Sequence, residues 1–242
     1  MASESTDSPG VSSSSERRRT MLLAVLLPVV LAPTIGTLSA LWFWPGSFGS
    51  TVYAACKVVL YGLPLIIWLK SPKEHRPSFH VDRYWMFAGL GSGALISGVI
   101  LALWFLILAN STDTSALIQV ISENGLDGPL KFWLFAAWLC IGNSLLEEIV
   151  FRWFVDTRLR ALGLGWALVL PVSALIFTLH HIFVLGAYFD TTLTLLGSSG
   201  VFIGGVLWSI LRLKSGSLIP GWMSHALVDL AIVLVGTSIL AH

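Results

Sequence analysis

The chain has 242 residues, of which 55% are hydrophobic and only 11% are charged, and its mean hydropathy is +0.83. This composition excludes an ordinary soluble domain and indicates a polytopic membrane protein. The net charge of +1 does not suggest a nucleic-acid partner, and both cysteines, Cys56 and Cys140, fall in apolar segments, so no disulfide framework is implied.

The first residues are rich in serine and lack aromatic side chains, so we predict that residues 1–19 form a disordered cytoplasmic tail. Three arginines at 17–19 then precede an apolar run over 21–43. Because this run exceeds the roughly 7–15 apolar residues of a secretory signal peptide, we interpret it as an uncleaved first span.

Residues 20–242 are predicted to form a single transmembrane domain, an all-α polytopic helix bundle. The hydropathy pattern predicts seven spans, at roughly 21–43, 50–69, 84–109, 130–157, 162–188, 192–212 and 216–240. The segment Ser115–Ser122, between the third and fourth spans, is compatible with a short interfacial helix or with a plain loop.

The basic residues predict the orientation of the bundle. Eleven of them fall on one side if there are seven spans: Arg17, Arg18, Arg19, Lys70, Lys73, Arg76, Arg83, Arg158, Arg160, Arg212 and Lys214. The opposite loops hold only Lys131 among several acidic residues. We therefore predict a cytoplasmic N-terminus and a C-terminus outside.

The fourth span carries two adjacent carboxylates, Glu147 and Glu148, and a nearby Arg152. A charged side chain at membrane depth costs at least about 2.5–3.5 kcal/mol and usually marks a functional site. Glu148 and Arg152 are four residues apart and can pair on one helix face, whereas Glu147 points about 100° away. The alternative is a purely structural ion cluster between helices.

Two further spans carry ionisable groups. In the seventh span His225 and Asp229 repeat the four-residue spacing, so Asp229 can accept a hydrogen bond from His225, or both can bind one metal ion. In the fifth span His180 and His181 are adjacent, so they cannot both face the same point and we expect only one of them in a site; Phe177 lies one turn before His181 and shares its helix face. Weaker intramembrane polar groups are Lys57, Asn143, Ser144, Ser198 and Ser199.

Three ordered patterns resemble the motifs of the CPBP family of intramembrane proteases, also called the type II CAAX prenyl endopeptidase or Abi family. They are Glu147-Glu148-x-x-x-Arg152, Phe177-x-x-x-His181 and His225-x-x-x-Asp229. The resemblance covers about 145–230 and implies a catalytic core at about 130–240. Each motif is weak alone, but their order on separate spans is a strong signal.

The resemblance implies a glutamate-type intramembrane endopeptidase in which Glu147 and His181 activate water. His225 and the residue at position 229 would support the oxyanion. Many members carry Asn at that position, whereas this chain has Asp229, which would instead orient His225. Glu148, Arg152 and Phe177 would support the structure. The resemblance leaves a divalent metal open, since Glu147, His181, His225 and Asp229 would be its ligands.

Two other classes remain open at this stage: a non-catalytic membrane scaffold or immunity protein, and a proton-coupled transporter. Other intramembrane proteases fit less well: the sequence has neither His-Glu-x-x-His nor Gly-x-Gly-Asp, and Gly142-Asn143-Ser144 lacks the following glycine of a rhomboid nucleophile. We expect membrane lipid as a partner, together with a peptide or protein substrate that is lipid-modified or bears a C-terminal sorting segment. Short loops favour a prokaryotic plasma (inner) membrane.

Overall fold

The computed structural model describes residues 9–126 and 128–240, with side chains from residue 14, and the regular elements in these residues are all helices. They are α1 (Pro9–Leu38, extended by a wide π-helical turn, Ser39–Phe43), α2 (Ser47–Lys70), α3 (Arg83–Leu103, extended by Trp104–Leu108), α4 (Ser115–Glu123), α5 (Pro129–Ala161), α6 (Trp166–Tyr188), α7 (Thr191–Ser215) and α8 (Ile219–Leu240). In this part of the chain, 7 helices are long and apolar enough to cross a membrane. The prediction of an all-helical bundle with seven spans is confirmed.

The N-terminal segment differs from the predicted tail where the structure describes it. Residues 9–19 are helical, because α1 begins at Pro9 and continues into the apolar run, whereas residues 1–8 lie outside the described part. A serine-rich segment without an internal Pro or Gly between Gly10 and Pro28 can extend an apolar helix that is already formed. Of the two alternatives for residues 115–122, the structure has the short helix, α4.

Local sequence signals set several helix ends. The side chains of Asp82 and Asp190 each accept a hydrogen bond from a backbone N–H in the first turn of the following helix, at 3.0 and 2.8 Å. At its other end α7 stops at Gly216, which has a φ of 71° in the left-handed region that favours glycine. The two aspartates thus begin α3 and α7. The left-handed glycine at the end of α7 makes the tight turn after which α8 begins.

Helix α5 lies at the centre of the bundle and is wound unevenly. Wide π-helical stretches over Trp138–Asn143 and Glu148–Val155 flank one regular turn, Ser144–Glu147. All eight residues of Glu148–Val155 are buried, which is unusual for a span that would otherwise contact lipid. Such wide turns are frequent at functional sites, and here they lie immediately around the two glutamates.

Small residues bring the other helices close together. An added Cβ at Gly89 of α3 would lie 2.8 Å from Pro220 Cα, and one at Gly93 would lie 2.8 Å from Ser224 Cα. Because only glycine fits these two positions, one turn apart, α3 and α8 are in backbone contact. The opposite faces of the helices expose large apolar side chains, such as Leu106 at 81% and Val58 at 72%, as expected for a lipid-facing surface.

Candidate active site

The polar centre of the bundle is built around Glu148. Its Oε1 accepts a hydrogen bond from His225 Nδ1 at 3.1 Å and lies 3.5 Å from Arg152 Nε. All three residues are buried, with 0%, 4% and 0% of Glu148, His225 and Arg152 exposed. The predicted pairing of Glu148 with Arg152 along one helix is confirmed, and the same carboxylate also joins α5 to α8.

The predicted hydrogen bond from His225 to Asp229 is wrong in this structure. His225 Nε2 lies 3.7 Å from Asp229 Oδ1, which is too long for a hydrogen bond, whereas Nδ1 is bonded to Glu148. The physical reason is that four-residue spacing brings two side chains to one helix face without fixing their atoms at hydrogen-bond distance. Glu148, rather than Asp229, therefore fixes the orientation of the His225 ring.

Glu147 lies on the other side of the same imidazole. Its Oε2 is 3.7 Å from His225 Nε2, and only 5% of the residue is exposed. The two consecutive glutamates thus face different nitrogens of one ring, because consecutive side chains leave a helix in different directions. Glu147 has no arginine partner within ion-pair distance in the described part of the chain, so its carboxylate is the one available for chemistry.

The two histidines of α6 have different surroundings. His181 Nδ1 lies 2.9 Å from the backbone oxygen of Phe177, and since a carbonyl can only accept, Nδ1 carries the hydrogen and Nε2 of the neutral ring keeps its lone pair. His181 also lies within electrostatic range of Glu147 and His225. His180 is buried and packs its ring 4.0 Å from that of His181. The structure therefore brings His181 into the cluster and places His180 behind it.

Aromatic rings surround the buried charges. The ring of Phe177 lies 4.8 Å from the guanidinium carbon of Arg152, and Trp208 stacks on His225 at 3.8 Å between ring centroids with an interplanar angle of 13°. Trp208 Nε1 also donates a hydrogen bond to Ser224 Oγ at 3.1 Å. Trp208 was not predicted as part of the site, because no spacing in the sequence distinguishes it from the other ten tryptophans.

Two further charged residues near the cluster were also missed as partners of the site. Asp156 is buried one turn beyond Arg152 and lies within electrostatic range of both Arg152 and Arg212. The four-residue spacing of Glu148, Arg152 and Asp156 could have indicated this stripe of alternating charge. Arg212 was predicted only as a loop charge, although it lies within electrostatic range of Asp156.

A second hydrogen-bonded chain borders the site on the side of α2. Lys57 Nζ donates to Tyr61 Oη at 3.3 Å, and Tyr61 Oη donates to Asn143 Oδ1 at 2.9 Å. Asn143 precedes Glu147 by one helical turn. Lys57 and Asn143 had been singled out only as isolated polar groups, because a contact between separate helices leaves no mark in the sequence.

The side chains as arranged do not form a metal site. Among the described residues, no group of three His, Cys, Asp or Glu side chains is placed to hold an ion together. Hydrogen bonds to Phe177 and Glu148 occupy Nδ1 of His181 and His225, so Nε2 is the nitrogen of each ring that could bind an ion, and the Glu147 and Asp229 carboxylates stand 3.7 Å from His225 Nε2. A divalent ion bound by Glu147, His181, His225 and Asp229 stays a prediction.

Comparison with protein-family models identifies the C-terminal part of the chain. Residues 129–231 match the family described as Rce1-like, the type II CAAX prenyl endopeptidase Rce1-like family. This segment carries all three motifs, so the resemblance to the CPBP family is confirmed. Comparison with curated proteins and with solved structures found no match to this chain.

Proposed function

We propose that this chain, whose residues 129–231 carry an Rce1-like CAAX endopeptidase domain, is an intramembrane endopeptidase of the glutamate type. The family implies endopeptidase activity, and the seven apolar helices make the chain a multi-pass membrane protein. The observation that carries the finer proposal is the His225 ring held between Glu147 and Glu148 inside the bundle.

Glu147 is the proposed general base. It is buried, its carboxylate has no arginine partner among the residues that the structure describes, and it lies within electrostatic range of His181. Hydrolysis requires a base that removes a proton from water as the water oxygen attacks the peptide carbonyl carbon. His181, with its Nδ1 hydrogen held by Phe177, offers the lone pair of Nε2 to orient that water, and Glu147 passes the proton to the departing amine.

His225 and Asp229 form the proposed second wall. With Nδ1 donating to Glu148, a doubly protonated His225 directs its second N–H, on Nε2, toward the region between Glu147 and Asp229. A donor fixed in advance at this position stabilises the negative oxygen that develops when the carbonyl is attacked. Asp229 lies beside that nitrogen and is 17% exposed, so it reaches the space that a substrate would occupy.

Glu148, Arg152 and Phe177 are proposed to hold this geometry without touching the substrate. Glu148 ties His225 to α5, Arg152 balances the Glu148 charge, and Phe177 contacts the Arg152 guanidinium and both α6 histidines. A buried carboxylate is retained only when a cation or hydrogen bonds compensate it. These residues therefore supply the rigid support that a catalytic histidine needs.

The proposed substrates are membrane-associated proteins or peptides, lipid-modified or bearing a C-terminal sorting segment. We place the protein in a prokaryotic plasma membrane because its loops are short, and we place the N-terminus in the cytoplasm because of the distribution of basic residues. The match of residues 129–231 to an endopeptidase family favours the peptidase over a scaffold or a proton-coupled carrier.

The test is a comparison of protein termini in membrane and secreted fractions of cells that carry the wild type or Glu147→Gln at equal expression. We expect truncated C-termini or released peptides only with the wild type. Glu123→Gln is the matched control, because Glu123 is an exposed residue of α4 that bonds only Gln119. Identical termini in all three strains, with the cellular phenotype kept in Glu147→Gln, would favour the scaffold.

A further inference from the structure

Lys57 is a cation in the middle of a membrane span for which the proposed chemistry has no use. It lies near the centre of α2, about 15 Å along the helix axis from its start. Among the described residues, no carboxylate lies within ion-pair distance of its Nζ. Intramembrane cations normally pair with a carboxylate or mark the path of an ion or a substrate.

The lysine is held in place by aromatic groups rather than by a counter-ion. Its Nζ donates to Tyr61 Oη at 3.3 Å and stands 5.4 and 5.3 Å from the ring centres of Tyr53 and Tyr61. These contacts stabilise a cation while leaving hydrogens of the ammonium group free, because an ammonium has three donors. The side chain is partly exposed, so an approaching anion can reach it.

The position of Lys57 relative to the candidate active site is fixed by a direct chain of contacts. Tyr61 Oη donates to Asn143 Oδ1 at 2.9 Å, one turn before Glu147 on the same helix. Lys57 also lies within electrostatic range of His181, and Tyr61 within range of Glu147. The cation is therefore connected through Tyr61 to Asn143, one helical turn from Glu147, on the α2 side of the site.

We propose that Lys57 and Tyr61 form a carboxylate-binding subsite that selects substrates with an anionic group close to the cleaved bond. This inference rests on the proposed peptidase function and names the residue that would determine its specificity. In a peptide at membrane depth the anion is either the free C-terminal carboxylate or an acidic side chain. Both present the same oxygens to the ammonium group.

The binding test does not depend on cleavage. Full-length Glu147→Gln protein in lipid nanodiscs is titrated with three pools of ten-residue apolar peptides that carry an uncharged fluorophore on the N-terminus. The first pool ends in a free carboxylate, the second ends in a carboxamide, and the third is amidated but carries one glutamate. We expect the first or third pool to bind about 10- to 100-fold more tightly than the second, since a charge-assisted hydrogen bond contributes this much.

Added to this background, Lys57→Gln should lower the affinity for the carboxylate pool to that for the carboxamide pool, whereas Lys57→Arg should keep the preference. Lys70→Gln is the matched control, because Lys70 is an exposed lysine at the end of the same helix. If Lys57→Gln does not fold, Tyr61→Phe, which removes only the hydroxyl that holds Nζ, should lower the preference several-fold.

Equal binding of all three pools, or a carboxylate preference that persists in Lys57→Gln, would overturn the subsite. Which of the two charged pools binds more tightly identifies the source of the anion. Cleavage of the same pools by protein with Glu147 intact is measured separately. If the Lys57-dependent preference is found and no pool is cleaved, the subsite stands and the proposed peptidase function fails.

Discussion

His225 Nδ1 donates a hydrogen bond to Glu148 Oε1 at 3.1 Å, although Glu148 also pairs with Arg152 on its own helix at 3.5 Å. One buried carboxylate thus serves two cationic or polar partners on different helices. Its other oxygen, Oε2, packs closely against Gly221, where an added Cβ would lie 2.7 Å away. Catalytic geometry and helix packing are therefore coupled at this residue.

Replacing Glu148 with Gln should lower both stability and activity. The substitution leaves Arg152 buried without a balancing charge, and breaking such a pair typically costs about 3–5 kcal/mol. Loss of the charged acceptor for His225 should lower cleavage by about 10- to 100-fold, as for other groups that orient a catalytic histidine. The measurements are thermal unfolding in detergent and cleavage of the substrate identified by the comparison of termini.

A double variant separates these two effects. Glu148→Gln combined with Arg152→Met removes the unbalanced charge as well, so it should recover part of the lost stability while cleavage stays low. Recovery of cleavage together with stability would mean that Glu148 acts only through the fold. Glu123→Gln, on exposed α4, should change neither quantity.

Trp208 should matter through its stacking on His225. Its ring lies parallel to the imidazole at 3.8 Å, and stacking of this kind contributes about 0.5–1.5 kcal/mol. Trp208→Leu should therefore lower kcat by up to about tenfold, and Trp208→Phe should lower it less because the ring is kept. Trp133→Leu is the control, since Trp133 is 51% exposed on the outer surface of α5. If kcat fell equally in Trp208→Leu and Trp133→Leu, the stacking of Trp208 on His225 would have no specific role in cleavage.

Several features could be predicted because the bilayer leaves few choices. Backbone groups in lipid must be satisfied within a helix, so the apolar runs predict the seven spans. Charged residues at depth are costly, which singled out Glu147 and His225. The pairing of Glu148 with Arg152 follows from four-residue spacing, which depends only on the geometry of one helix.

The contacts between helices could not be predicted in this way. Which face of α8 meets α5 depends on the glycines of α3 and on the wide turns of α5, so the bond from His225 to Glu148 could not be read from spacing. The stack of Trp208 and the bond from Tyr61 to Asn143 have the same origin. Propensity and hydropathy describe each helix alone, whereas these contacts depend on how the helices are rotated against one another.

Substitutions of Asp229 can distinguish whether this residue orients His225 or stabilises the oxyanion. Its Oδ1 stands 3.7 Å from His225 Nε2, too far to hold the ring. Asp229→Asn keeps the shape and adds an N–H donor, so we expect cleavage within about tenfold of the wild type, whereas removal of the group in Asp229→Ala should cost about 100-fold or more. The comparison uses kcat for one peptide. If kcat fell as severely in Asp229→Asn as in Asp229→Ala, the negative charge itself would be required.

Removal of divalent ions should leave cleavage unchanged. No group of three candidate ligands in the described residues is placed around one point. The measurement is cleavage after dialysis against a chelator, followed by addition of Zn²⁺ or Mg²⁺. A loss that added metal restores would contradict this expectation and would reassign Glu147 as a ligand. A general base gives no such response, because its proton transfer needs no ion.

Contact between α3 and α8 should control the position of His225 from a distance. An added methyl group at Gly93 would press on Ser224, the residue before His225, and one at Gly89 would press on Pro220 one turn earlier. We expect Gly93→Ala to cost about 1–3 kcal/mol of stability through overpacking and to lower cleavage by moving α8.

Gly91→Ala and Gly98→Ala are matched controls on the same helix, because a Cβ there meets no atom within 4 Å. Alanine at these two positions should leave cleavage unchanged and slightly raise helix stability, since glycine is the weaker helix former by about 0.8–1.0 kcal/mol. If Gly93→Ala behaved like Gly91→Ala, close contact between α3 and α8 would not be what positions His225, and the bond to Glu148 would have to hold the ring alone.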